Sequence, residues 1–181
     1  MAGGVIYSHA VKAFIDHARR RAVLPEAALT QHFTEQGIDP RRPKNVSYDA
    51  WLATLRGIAR ETAGTRTLEE SLQALGELTF EGYVESIVGR AMLLAMRLRG
   101  AERSLMRLAS SYATADTVTR VSSRRLGPNH LELDFEQGVH EVPTFVRGIL
   151  LASLRMLGVE APRLDYVAGP GERVVFTARW S

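Results

Sequence analysis

Between Val118 and Trp180 the spacing of apolar residues changes period twice, and few folds can follow such punctuation. Leu131, Leu133 and Phe135 alternate with Glu132, Asp134 and Glu136, the two-residue period of a strand with one face buried and one in water. Ahead of it, Thr117 to Arg124 is rich in β-branched residues, and Leu126-Gly127-Pro128-Asn129 reads as a turn. Pro143 then opens a helix through Phe145, Val146, Ile149, Leu150, Leu154 and Leu157, which Gly158 caps. Leu164 to Val167 and Arg173 to Trp180 form two more strands, joined by the turn Ala168-Gly169-Pro170-Gly171-Glu172. The unit is β-β-α-β-β.

Everything before it reads as helix. A short apolar start, Val5-Ile6-Tyr7, leads into a helix from His9 to Arg20. Leu24-Pro25-Glu26 opens a second, running to Gln36 with Gly37 as its left-handed cap. Ser47 opens a third, whose Trp51, Leu55, Ile58 and Ala59 make a buried face, and Gly64 ends it. Thr67-Leu68-Glu69-Glu70 is a capping box, in which hydroxyl and glutamate satisfy each other's free amides. The helix behind it places Leu68, Leu72, Leu75, Thr79 and Tyr83 on one side and Glu70, Glu77, Glu81 and Glu85 on the other. Ile87 to Leu98 is apolar nearly all round, which predicts a central, buried helix, continuous with the one before it or broken near Gly82 or Gly89. Beyond Gly100 a last helix, Ala101 to about Tyr112, is expected to pack Leu105, Leu108 and Ala109. The expected fold class is α+β in two layers, a single domain over 1–181 with a helical layer of five to six helices (1–113) and a sheet unit (114–181).

Composition excludes several functions. The chain has no cysteine, so it has no disulfide framework and no thiolate metal site. Ten Lys or Arg against six Asp or Glu fall within residues 1–66, mostly in Arg19-Arg20-Arg21 and Arg41-Arg42-Pro43-Lys44. These short clusters lack the interleaved aromatics of a nucleic-acid stripe and read as solvated charge at helix ends and turns. The most apolar window, Ala91 to Leu98, is too short to span a bilayer. The N-terminal basic run follows the apolar stretch, the wrong order for a signal peptide. A soluble, cytoplasmic chain is expected, with no nucleic-acid partner and no membrane span.

The segments GELTFEGYVESIVGRAMLLAMRLRGAERSLMRL, RRLGPNHLELDF and PTFVRGILLASLRMLGV resemble a large paralogous family of myxobacterial proteins of unknown function. The resemblance runs from Gly4 to Trp180 and is best at Leu126-Gly127-Pro128 and from Phe145 to Gly148. Where members of that family often carry paired asparagines ahead of the first strand, this chain has Thr114-Ala115-Asp116-Thr117. The order of elements is also similar to the superfamily of haem–nitric-oxide sensor domains (H-NOX), 4-vinyl-reductase-type domains and TRAPP subunits, which implies a ligand-binding fold and not a reaction. Haem requires an axial ligand, usually histidine, in the helices before the strands. Thr67 to Tyr112 contains neither histidine nor cysteine, and Tyr112-Ala113-Thr114-Ala115-Asp116 replaces the Tyr-x-Ser-x-Arg clamp for the propionates. No cofactor is therefore expected.

No catalytic constellation is visible. His9, His17, His32, His130 and His140 show no metal spacing, Ser110-Ser111 and Ser122-Ser123 lack a nucleophile-elbow context, and Gly169-Pro170-Gly171 is a hairpin turn rather than a phosphate loop. Two leads remain. Phe80, Tyr83, Met92, Met96, Met106 and Phe145 converge between helices and sheet, where a packed core is the default and an apolar ligand pocket the functional alternative. Glu77, Glu81 and Glu85 oppose Arg99, Arg103 and Arg107, whose spacing by four makes a stripe able to meet a carboxylate surface on a second copy. The leading reading is a non-enzymatic signalling or scaffold domain working by protein–protein contact, with a homodimer as the expected assembly. The alternatives are a haem-free sensor of a small hydrophobic ligand and an enzyme whose pocket cannot be read.

Overall fold

The alternation in residues 131–135 produces a sheet with one dry face. The computed structural model describes residues 4–181, apart from the side chains of Leu108 and Ala109, so the expected packing of those two lies outside the described residues. Strands β3 (Arg120–Gly127), β4 (His130–Gln137), β5 (Arg163–Ala168) and β6 (Val174–Arg179) pair antiparallel in the order β3-β4-β6-β5. Leu131, Leu133 and Phe135 lie opposite Ala178, Phe176 and Val174, and all six are buried. On the wet face Arg124 reaches Glu132 at 2.8 Å and Arg173 reaches Asp134 at 2.7 Å. The first strand starts at Arg120 and not at Thr117, because the Asp116 carboxylate takes the amides of Val118 and Thr119 and holds the chain in a turn there.

Helix α8 (Pro143–Met156) carries the chain from β4 to the far edge and packs on the dry face. Before the sheet come α1 (Ser8–Arg20), α2 (Glu26–Glu35), α3 (Tyr48–Thr62), α4 (Leu68–Glu85), α5 (Ile87–Arg99) and the short α6 (Ala101–Leu105) and α7 (Leu108–Tyr112). The last two replace the single helix expected over 101–112; α6 already gives out at Leu105. The molecule is an α+β fold. Ser47 caps α3, and both halves of the Thr67–Glu70 capping box form. Phe14, Phe33 and Trp51 join α1, α2 and α3 edge to face, with the Phe33 and Trp51 ring centroids 6.3 and 5.2 Å from that of Phe14. Two-residue strands β1 (Val5–Ile6) and β2 (Val46–Ser47) pair, and Ile6 also bridges to Asp116, tying the N-terminal end of the described chain to the start of the sheet. No helix among the described residues is long and apolar enough to cross a membrane.

The run 68–98 breaks at Ser86, not at either glycine. Ser86 ends α4 and caps α5, accepting the Gly89 amide at 3.0 Å. Gly82 and Gly89 are instead points of close approach. A Cβ on Gly82 would lie 2.7 Å from the His17 Cβ on α1, and one on Gly89 would lie 1.8 Å from the Tyr83 carbonyl. The Ser86→Ala variant removes the α5 cap and is expected to cost about 1 kcal/mol of unfolding free energy, read by urea denaturation.

The expectation that Ile87–Leu98 is a central, buried helix is wrong. Among α5 residues only Gly89 and Met96 are buried, while Ile87, Leu94 and Leu98 are 81%, 62% and 82% exposed. The helix has two apolar faces, and the fold uses only one of them.

Candidate functional site

The inner face of α5 lines a half-open apolar pocket. Phe80 and Tyr83 of α4, Met92 and Met96 of α5, Ile149 of α8 and Tyr112 of α7 wall a space of about 100 Å³. Tyr112 and Ile149 also wall a neighbouring space of about 90 Å³ that extends past Phe145 towards Tyr48, Trp51 and Asp116. Of the six residues singled out from the sequence, four therefore border the first space and Phe145 the second. Met106 borders neither: it caps the end of α6, 42% exposed, and the buried residue of that segment is Leu105.

Most polar groups around these spaces are already engaged. Thr79 Oγ1 donates to the Leu75 carbonyl at 2.6 Å, and Ser153 Oγ to that of Leu150 at 2.7 Å. The Tyr83 hydroxyl is 2.8 Å from Thr114 Oγ1, which donates to the Ser111 carbonyl. Burial holds the Tyr83 phenol above its ordinary range. Tyr48 donates to the Gly138 carbonyl. Asp116 accepts the Val118 amide, the Thr119 amide and the Thr119 hydroxyl at 2.8, 2.6 and 2.9 Å. Burial still raises the Asp116 carboxyl, against these three bonds. Ser111, half-buried, makes no side-chain hydrogen bond, and Tyr112 stands apart: its hydroxyl oxygen is buried and without a partner among the described residues, although the residue as a whole is only half-buried. No sequence signal marked it, since a lone tyrosine in a helix says nothing of where its hydroxyl ends.

The charged residues expected to face a second copy behave differently. Glu77 pairs with Arg155 of α8 at 2.9 Å. Glu81 and Glu85 flank the buried His17 of α1, at 3.3 and 3.1 Å from its two ring nitrogens, and reach Arg21 and Arg20 beyond it. Burial would raise the Glu85 carboxyl, but His17 and Arg20 together lower it below its ordinary value. Acidification through that lowered value weakens the α1–α4 contact. The acidic row is thus spent within the chain. Arg99, Arg103 and Arg107 are exposed and form no ion pair among the described residues, but they are not one helical stripe, because Gly100, at φ +80°, turns the chain between Arg99 and the other two. No group of three or more His, Cys, Asp or Glu able to hold a metal gathers among the described residues.

A family model described as "Protein of unknown function (DUF2378)" matches residues 4–181. The chain belongs to this DUF2378 family. No curated protein matches its sequence. Its fold is that of solved H-NOX domains. An oxygen-binding H-NOX domain related to soluble guanylate cyclases, solved as the oxygen complex, superposes with a TM-score of 0.72 at 11% identity, covering 96% of this chain and 93% of that one. A point mutant of the T. tengcongensis H-NOX does so with a TM-score of 0.70 at 10% identity, covering 97% of each chain. A structure described by protein-induced porphyrin distortion and haem redox potential gives 0.72 at 11%, covering 97% and 95%.

The group those proteins carry does not fit the DUF2378 chain. Among the described residues, neither histidine nor cysteine borders the two spaces. Tyr83 is held as a neutral phenol by burial. Where a clamp for propionates would need a cation, Asp116 presents a buried carboxylate already bonded to its own loop. Each space is also well below the roughly 300–1,000 Å³ of pockets that take drug- or cofactor-sized ligands.

Proposed function

We propose that this DUF2378 chain is a haem-free, non-enzymatic signalling domain that acts by protein–protein contact, with the outer face of α5 as its docking surface. The observation that carries this reading is the exposure of Ile87, Leu94 and Leu98 on a well-capped helix. With Ala91, also exposed, these residues follow a 4-3-4 spacing, the seam of a coiled coil, and Val88, 45% exposed, flanks it. Arg90 and Arg97 border the seam on one side and Arg99 on the other, and α5 contains no acidic residue.

That charge selects the occupant. A second copy lying antiparallel would set Arg90 and Arg97 against Arg97 and Arg90, and the acidic row of α4 offers no compensation, being engaged within its own chain. The partner that fits is an amphipathic helix of another protein, apolar along one seam and acidic at its flanks.

A designed amphipathic peptide of about three heptads, with leucine at the seam and glutamate at the flanks, tests this by calorimetry. The expected result is binding that weakens at least about tenfold on Leu94→Glu and that a lysine-flanked peptide does not reproduce. Equal binding of both peptides, or of neither, overturns the proposal. So does a Leu94-dependent dimer in sedimentation, or binding to phosphatidylserine vesicles in preference to the peptide.

A further inference from the structure

Tyr112 is held firmly with its polar end inside the protein. Its ring stands edge-on to Phe135, centroids 5.7 Å apart, and its carbonyl accepts the amides of Ala115 and Asp116 at 2.7 and 3.0 Å. The hydroxyl oxygen is shielded from bulk solvent and has no acceptor within hydrogen-bonding distance among the described residues. Buried hydroxyls almost always have a partner, because leaving one unmade forfeits its hydration for nothing. Burial first, then the nearby Asp116 and Tyr48, keep this phenol protonated across the physiological range, so it remains a donor.

Both spaces end on Tyr112, and the remaining walls define what could meet it. Thr79, Ser153 and Tyr83 already have partners, and Tyr48 donates to Gly138; Ser111 on the first lobe is only half-buried, so among the described lining residues the Tyr112 hydroxyl is the buried donor left without a partner. Among the described residues, no lysine, arginine or histidine borders either lobe. A carboxylate or phosphate would lie there without a counter-charge and beside Asp116, a costly arrangement. A cation would have a single carboxylate, Asp116, three of whose roughly four acceptor sites are already taken by Val118 and Thr119. The lobes, at about 100 and 90 Å³, are each smaller than the roughly 150 Å³ cavity that holds benzene.

We propose that the paired cavity at Tyr112 is a binding site for a small neutral molecule, apolar except for one hydrogen-bond acceptor, to which the Tyr112 hydroxyl donates. Ketones, aldehydes and esters of about five to eight heavy atoms have the required chemistry and size. Met92 and Met96 wall the first lobe, so the ligand touches the inner side of α5. The site itself does not depend on the docking role of that helix.

Cyclopentanone and cyclopentane, alike in size and differing in the acceptor, are the probes, with valerate as the charged control. Binding is followed by calorimetry and by the chemical shifts of the Met92 and Met96 methyl groups. Cyclopentanone is expected to bind and to perturb both methyls; cyclopentane binds several-fold more weakly and valerate not at all. Tyr112→Phe is expected to fold with an unchanged or higher Tm in the absence of ligand, since it removes an unpaired hydroxyl, and to bind cyclopentanone no better than cyclopentane. Ile149→Trp, which fills the wall shared by both lobes, abolishes binding of either. The inference is overturned if Tyr112→Phe binds cyclopentanone as the parent does. It is equally overturned if no probe binds and Tyr112→Phe lowers the Tm, the outcome expected when a buried water alone serves the hydroxyl.

Discussion

Gly148→Ala is expected to lower the unfolding free energy by about 3 kcal/mol, and Gly76→Ala by a similar amount, measured by urea denaturation followed by circular dichroism. The two glycines face each other where α4 crosses α8. A Cβ on Gly148 would sit 2.0 Å from the Gln73 carbonyl oxygen, and one on Gly76 1.9 Å from that of Phe145. Both obstacles are helix backbone, so no side chain can swing aside and one helix must move as a body. Replacing a helical glycine by alanine gains about 1 kcal/mol in helix propensity, which the overlap outweighs. Because α8 also packs on the sheet, a shift there disturbs Leu150 and Leu154, both fully buried. The double variant should lose less than the sum of the two, since the first methyl already separates the helices. An unchanged or raised denaturation midpoint in either single variant would mean that the crossing is looser than these distances.

Those glycines show where the sequence stopped being readable. Strands β3 to β6 and helix α8 could be placed because Leu131, Leu133 and Phe135 alternate with acids and because Pro143 and Gly158 mark helix ends, all local signals. The Thr67 capping box is of the same kind. Strands β1 and β2 escaped notice because two residues have no period. Whether the helix broke at Gly82 or Gly89 stayed open in the sequence because a glycine that permits a turn and one that admits a neighbouring helix are the same letter; only tertiary packing separates them. Helix α5 was misplaced for a related reason. Periodicity reveals an apolar face but not which of two such faces the fold will cover, so all-round apolarity read as burial. At the candidate site, residue type was enough to gather Phe80, Tyr83, Met92 and Met96 around one space, since large apolar residues on successive helices tend to converge. The unpaired Tyr112 hydroxyl was invisible, being a property of what is missing around an atom.

Asp116→Ala is expected to cost about 2–3 kcal/mol, whereas Asp116→Asn leaves stability at neutral pH unchanged or higher. The carboxylate sits where the Ile6 bridge meets the start of the sheet, and it ties two amides and a hydroxyl of its own loop. Alanine leaves those amides without an acceptor and frees the loop that fixes β1 against β3. Asparagine keeps a carbonyl oxygen for both amides, and its NH₂ faces the Thr119 hydroxyl, which can accept. It also sheds a charge that burial makes unfavourable, the reason the carboxyl is raised above its ordinary range. A raised folded value means that the folded chain holds this proton more tightly than the unfolded one. The stability this brings is fully present below the ordinary aspartate value and is lost as pH rises through the folded value. The difference in denaturation midpoint between the parent and Asp116→Asn, followed from about pH 3 to pH 7, should therefore move in favour of asparagine as pH rises. Taking the difference removes the contribution of Glu85, whose lowered carboxyl has the opposite sign. A difference that moves against asparagine as pH rises, or an asparagine variant as unstable as the alanine one, would show that the ionised carboxylate is what holds the loop; a pH-independent difference would show that burial does not raise this carboxyl.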